Sequence, residues 1–242
     1  MKAYDEDLAY IHDVGHGDFA KSSAPGLLSI LKRNGIETGR VVDLGCGSGI
    51  WAAELLAAGC QVTGIDISES MLEIARRRAP AAEIICASFL DTKIPPCDAV
   101  TSLGECLGYL FDDSNGYDAL KSLFHRIHTS LSPNGLFIFD FLEPGIVKGS
   151  QTIQRFREGN DWAVLVELSE DHKTQRLTRR ITSFRQIDAG YHRDYEEHHV
   201  QLLDGKVLAA NLREIGFRVT RLRGYSQSRF RPGHVALVAR KA

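Results

Sequence analysis

Several things are missing from this chain of 242 residues, and each absence narrows what it can be. Its five cysteines (Cys46, Cys60, Cys86, Cys97 and Cys106) are odd in number, widely spaced and without a C-x-x-C pair. That excludes a disulfide framework and a zinc site by spacing, and it suits free thiols in a reducing compartment. There is no basic excess: 29 Lys and Arg stand against 31 Asp and Glu, for a net charge of −2. A general nucleic-acid binder would carry a basic surplus, so no nucleic-acid partner is expected. No apolar run reaches the length of a membrane span, and the first residues lack the basic-then-apolar order of a signal peptide. A cytoplasmic protein with no membrane partner is the expectation. Internal repeats and low-complexity tracts are also missing. With 43% hydrophobic and 25% charged residues, the composition is that of an ordinary globular protein, and the length suits one embellished domain.

What is present is concentrated in VVDLGCGSGIWAAELLAAG, residues 41 to 59. A β-branched run ends at Asp43, glycines follow at 45, 47 and 49, and an Ala/Leu-rich segment with helical periodicity stops at Gly59. This is strand, tight turn, helix, with helix N-terminal amides aimed into a crevice. A dinucleotide turn reads G-x-G-x-x-G/A, but the residue three after Gly47 is the branched Ile50. The next strand-like run ends at Asp66, where a carboxylate can accept hydrogen bonds from the two hydroxyls of a ribose. No lysine or arginine lies between Asp43 and Asp66, which argues against a phosphate-rich ligand. A nucleoside without a pyrophosphate is the ligand these residues suggest.

Apolar runs then alternate with helical segments. Strands are expected at about 40–44, 61–66, 83–88, 98–103 and 135–141, with helices at about 69–78, capped by Ser68, and 114–131. Such a pattern calls for a parallel sheet covered on both faces, whose ligands bind beyond the carboxyl ends of its strands. Before it, residues 1–35 read as a short helix, a loop holding Gly15 and Gly17, and a second helix capped by Ser23 with Pro25 in its first turn. After it, residues 162–168, 176–187 and 190–203 read as an inserted antiparallel sheet. Alternation puts Glu196, His198 and Val200 on one face of its last strand. A helix ending at Gly216 and a hairpin of two strands, FRVTRLRGY and HVALVARK, close the chain.

The segments DLGCGSG (43–49), GIDIS (64–68), MLEIARRRAP (71–80) and LSPNGLFIFDF (131–141) together resemble the class I S-adenosylmethionine-dependent methyltransferases. The chain as a whole is most similar to small-molecule N-methyltransferases of the aminosugar N,N-dimethyltransferase type. This resemblance implies an α/β fold: a Rossmann-like, seven-stranded, mostly parallel sheet with a reversed last strand. The core would be 36–142 and 202–242, with residues 1–35 as a helical lid and 143–201 as the β insertion. It also implies S-adenosyl-L-methionine as cofactor and S-adenosyl-L-homocysteine as product. Asp66 would hold the ribose, with Ile67, Met71, Ser88 and Phe89 around the adenine. Asp43, Gly45, Cys46, Gly47 and Gly49 would carry the methionine part, Leu103 and Gly104 would line the same edge, and Tyr10 and Phe19 would cover it from the lid. Relatives often carry an aspartate where this chain has Ser88.

For the acceptor, Glu105 and Tyr109 after strand four and His198 and His199 from the insertion are the candidate catalytic residues. Loss of a proton from an amine suits a carboxylate or a histidine. Where aminosugar enzymes place a histidine after strand four, this chain has Gly108-Tyr109-Leu110, so substrate identity does not transfer. The expected partner is a small-molecule acceptor, with amine nitrogen ahead of oxygen, on a monomer or homodimer. An O-methyltransferase or a non-catalytic adenosylmethionine-binding protein are the alternatives. An N/D-P-P-Y/F motif after strand four, which would mark an amino-group nucleic-acid enzyme, is replaced by LGECLGY.

Overall fold

A computed structural model describes residues 3–149, 151–225 and 229–242. Two N-terminal helices, α1 (Glu6–His16) and α2 (Asp18–Arg33), precede the alternating core. The core runs β1 (Arg40–Leu44), α3 (Ile50–Ala57), β2 (Gln61–Asp66), α4 (Glu69–Arg78), β3 (Glu83–Cys86), β4 (Cys97–Ser102), α5 (Tyr117–Ser130) and β5 (Leu131–Leu142). Four strands follow: β6 (Ile153–Glu158), β7 (Trp162–Asp171), β8 (Arg176–Ile187) and β9 (Gly190–Gln201). The chain closes with α6 (Gly205–Ile215), β10 (Phe217–Leu222) and β11 (His234–Lys241).

Seven strands form one sheet in the order β10-β11-β5-β4-β1-β2-β3, in which β11 alone runs against its neighbours. Apolar runs such as Leu136–Phe139 are buried on both faces, as a sheet with a helical layer on each side requires. One apolar layer joins α5 and α6 to the sheet through Leu123, Phe124 and Leu212. The other joins α2 and α3 to it through Leu27, Trp51 and Leu55. The order of strands reverses beside β1, and this opens a crevice beyond the carboxyl ends of β1 and β4. Strands β6 to β9 make a separate antiparallel sheet.

Two sequence expectations fail. No loop separates the first two helices beyond the single residue Gly17, and α2 starts at Asp18, so Ser23 is a buried residue inside it rather than a cap. Pro25 also lies inside α2, where it leaves the carbonyl four residues earlier without its helical donor. Gly15 is helical, and its lack of a side chain serves close packing: a Cβ there would lie 2.6 Å from the Trp162 ring. The other failure is β6, absent from the sequence reading. It is an edge strand paired only with β7, almost wholly exposed on both faces, so its residues carry no apolar alternation.

The tip of β1 is held by a buried relay. Trp51 on α3 donates its indole N–H to Thr101 Oγ1 (3.1 Å), and the Thr101 hydroxyl donates to Asp43 Oδ1 (2.7 Å). Burial pushes the Asp43 carboxyl up to about 7, against the opposing pull of Thr101 and with a smaller upward push from Asp66. A carboxyl raised in the fold contributes fully below the unfolded value of about 4 and loses that contribution as pH rises through 7. Thermal melting from pH 5 to 8 should therefore show the wild type losing stability relative to Asp43→Asn, by on the order of 2–3 kcal/mol. Parallel pH profiles would refute this.

Candidate functional site

The loop after β1 turns on three left-handed glycines, Gly45 (φ 72°), Gly47 (φ 52°) and Gly49 (φ 75°), a conformation costly for other residues. A Cβ on Gly45 would meet Cys106 Sγ at 2.5 Å, and one on Gly49 would meet the α4 backbone at Ala75 at 3.0 Å. At Gly47 and at Gly104 (φ 83°), just beyond β4, a Cβ would meet nothing within 4 Å. These two bare backbone stretches border open space, while their neighbours are packed tight.

Asp66 ends β2 and accepts hydrogen bonds from the Gly47 amide (2.8 Å) and the Ser68 amide (2.9 Å), one on each carboxylate oxygen. Burial raises its pKa, and the amides of Ser68 and Gly47 pull it back. Each oxygen has a further lone pair for a ligand hydroxyl. Ser68 caps α4 by accepting from the Met71 amide, and its hydroxyl donates to the Tyr4 carbonyl (2.9 Å). Ile67 is 39% exposed and, with Tyr4, Ser68 and Phe111, lines a cavity of about 320 Å³. Met71 and Cys46 are buried beneath this surface. Ser88 donates its hydroxyl to Asp112, from the segment after β4, and Phe89 packs on the core beside α5. The acidic group near position 88 thus comes from another part of the chain.

The segment after β4 carries Leu103, Gly104 and Glu105. Glu105 is left-handed (φ 67°), a strained state for a side-chain residue, and buried Asp140 on β5 holds it there by accepting the Gly104 (3.0 Å) and Glu105 (2.9 Å) amides. Asp140 also accepts from Tyr225 Oη (3.1 Å) and pairs with His234 Nε2 (2.7 Å). Burial alone would lower the His234 pKa, but Asp140 raises it overall.

The lid is placed differently from expectation. Tyr10 donates its hydroxyl to Asp161 (2.7 Å) under the Arg185 guanidinium, so it fastens α1 to the second sheet and stands away from the glycine loop. Phe19 lies against Phe230 and His234, at the edge of the segment after β4. Tyr4, His12 and His16 face the interior instead. Burial, helped by neighbouring His16, lowers the His12 pKa to about 4. Arg78 on α4 donates to both oxygens of Asp13 on α1 (2.6 and 2.9 Å) and to the Ser48 carbonyl (2.6 Å), tying the lid to the glycine loop.

Among the residues expected to meet an acceptor, Arg179 of β8 bridges Glu105 and the Tyr109 hydroxyl, and Tyr4 Oη sits 3.1 Å from Tyr109 Oη. Burial works against the charge of Arg179, but facing Glu105 more than restores it. Burial likewise pushes the phenols of Tyr4 and Tyr109 up, so neither is a base near neutrality. His198 is fully buried beside them, with Nε2 2.8 Å from Glu196 Oε2. His199, the next residue on the strand, projects to the opposite face, where it meets Thr178 and Glu197 and does not reach this cluster. Arg179, Asp140 and Tyr4 were not singled out from the sequence. For Arg179 the signal was there: it alternates with the apolar Leu177 and Ile181, which places a charge on the buried face of β8.

Residues 41–135 match the profile of the methyltransferase domain family. A ubiquinone biosynthesis O-methyltransferase of Alkalilimnicola ehrlichii is 30% identical over 151 residues, 56% of this chain and 58% of that protein. The dTDP-3-amino-3,6-dideoxy-alpha-D-glucopyranose N,N-dimethyltransferase of Streptomyces fradiae is 26% identical over 141 residues, 57% of this chain and 54% of that protein. The chain spans about half the length of the curated relatives it matches. In overall fold it is similar to DesVI of Streptomyces venezuelae (TM-score 0.81, 20% identity, 99% of this chain and 100% of that one). It is also similar to the sugar N-methyltransferase KedS8 of Streptoalloteichus sp. (TM-score 0.79, 16% identity, 100% and 95%). The segment that holds the glycine loop, Asp66 and the tip of β4 is thus the part of the chain that is similar to the methyltransferase domain family, and the similarity of the whole chain to the solved structures is one of fold.

Proposed function

We propose that the chain catalyses S-adenosylmethionine-dependent methyl transfer to an amine nitrogen of a small molecule. One observation carries the cofactor assignment: the bare backbone of Gly47 borders open space beside Asp66, as that of Gly104 does just beyond β4. A ligand can lie against both glycines where any side chain would intrude. Asp66 has acceptor capacity left for two ribose hydroxyls. Ile67 and Phe111 offer apolar walls to an adenine, with Ser88 and Asp112 as polar neighbours. The residues therefore fit an adenosyl group without phosphates. S-adenosylmethionine, when bound, supplies an electrophilic methyl group on a sulfonium.

The chain's own contribution is position and charge. In-line displacement needs nucleophile, methyl and sulfur held in a row at near-contact distance, which contributes much of the rate in reactions of this kind. Glu105 stands at the tip of β4, next to Gly104, and carries a carboxylate toward which a cationic amine is drawn. Arg179 takes one of its oxygens; the other has no hydrogen bond among the described residues. The ring cluster of Tyr4, Tyr109 and Phe111 closes the space against water. The amine preference is further supported by the similarity in fold to DesVI and KedS8, the latter called a sugar N-methyltransferase, and by the partial match to an N,N-dimethyltransferase.

Calorimetric titration with S-adenosylhomocysteine should show binding to the wild type and at least a tenfold loss in Asp66→Ala, and wild-type protein that fails to bind would sink the cofactor assignment. An acceptor panel of amino-hydroxy compounds against matched hydroxy compounds, read by release of S-adenosylhomocysteine, should give turnover only with the amines. Turnover with the hydroxy compounds alone would make this an O-methyltransferase. Glu105→Gln should lower that turnover by about 10²-fold, with S-adenosylhomocysteine affinity changed less than threefold.

A further inference from the structure

Buried on the inner face of β9, His198 is 0% exposed. Its Nε2 lies 2.8 Å from Glu196 Oε2, itself 3% exposed. Glu196 Oε2 also accepts the Tyr4 amide (3.0 Å), and Oε1 accepts the Asp5 amide (2.9 Å). With both of its oxygens already accepting backbone N–H groups, the Glu196 carboxylate acts as acceptor toward the ring as well, so His198 presents Nε2–H to it. The other nitrogen, Nδ1, is then a lone pair, and it is buried with no hydrogen-bond partner among the described residues. A buried polar atom left unpaired is costly, and folds rarely tolerate one without a use. A second such atom, His12 Nδ1, lies nearby: Tyr4 is packed 4.8 Å from the His198 ring and 5.1 Å from the His12 ring. Phe111 (4.9 Å) and Tyr109 (6.0 Å) complete the wall around His198.

We propose that His198 Nδ1 receives the proton that the methyl acceptor gives up, with Glu196 as the positioning residue that fixes its tautomer, and that His12 Nδ1 binds a second polar hydrogen on the same acceptor. This rests on the methyltransferase reading. The acceptor's N–H bond breaks and its proton passes to His198. The freed lone pair forms the new N–C bond, and the methyl–sulfur bonding pair stays on sulfur as a neutral thioether. A carboxylate on one side of an imidazole and a proton source on the other is the arrangement by which histidine bases are oriented. The groups facing His198 are Glu196 on its own strand, Arg179 across the sheet, Tyr4 from the N-terminal segment, His12 on α1 and Tyr109 after β4. Glu196 also fastens residues 4 and 5, so closure of that segment and orientation of the base depend on one carboxylate.

Nitrogen-detected NMR of protein labelled with ¹⁵N-histidine and saturated with S-adenosylhomocysteine tests this. The His198 resonances are assigned by their absence from His198→Gln or, should that chain not fold, from His198→Phe, which keeps a buried ring. At pH 7 His198 is expected as the Nε2–H tautomer. Its Nδ1 signal, and that of His12, should move on addition of 2-aminoethanol but not of 1,2-dimethoxyethane, which has no hydrogen to donate. An Nδ1–H tautomer, or signals that 2-aminoethanol leaves in place, would overturn the proposal. Failure to bind S-adenosylhomocysteine would count against the cofactor assignment instead, and the histidine signals would still decide the role of His198.

Discussion

The hydrogen bond from the Gly47 amide to Asp66 fixes the geometry on which the rest of the site depends. It joins the tip of β2 to the loop after β1, so the carboxylate that would meet a ribose and the backbone that would pass under the ligand move as one unit. The loop can make that bond because its glycines accept left-handed conformations, and it cannot relax outward because Cys106 and Ala75 stand against Gly45 and Gly49. Ser68 extends the unit: it caps α4 with one lone pair and reaches the N-terminal segment through its hydroxyl hydrogen.

A second carboxylate, Asp140, does for the segment after β4 what Asp66 does for the glycine loop. It is fully buried and holds the amides of Gly104 and Glu105, which keeps Glu105 in a conformation it would not choose alone. Glu105 then meets Arg179 from the inserted sheet, and Arg179 meets Tyr109. Losing any one member would leave a partner charged or polar, buried and unpaired, which costs more than the pair itself contributes. The two sheets are therefore linked through charges that neither could bury alone.

The N-terminal segment closes the space between them. Glu196 of β9 accepts the amides of residues 4 and 5, Ser68 donates to the carbonyl of residue 4, and Arg78 pairs with Asp13, the residue after His12. Each contact reaches a different part of the molecule: the inserted sheet, the turn after β2 and the glycine loop. A covering segment bonded to all three holds them in one arrangement.

The α/β architecture, the glycine loop and Asp66 were legible in the sequence, because local chemistry decides them. Positive φ demands glycine, a parallel strand buried on both faces demands an unbroken apolar run, and a carboxylate at a strand tip falls at the crevice by topology. Exposed β6 was not legible, since an edge strand with two wet faces needs no alternation. The helical start was misread because Gly15 looks like a turn residue but makes room for Trp162, a contact 147 positions away. Tyr10 and His199 have suitable chemistry and face elsewhere, while Tyr4, Arg179, Asp140 and the pairing of Glu196 with His198 come together only through long-range packing. Sequence by itself determined which backbone could bend around a ligand. Tertiary structure alone decided which buried charges would meet, because burial makes an unpaired charge too costly to leave and the fold must bring its partner from wherever in the chain it lies.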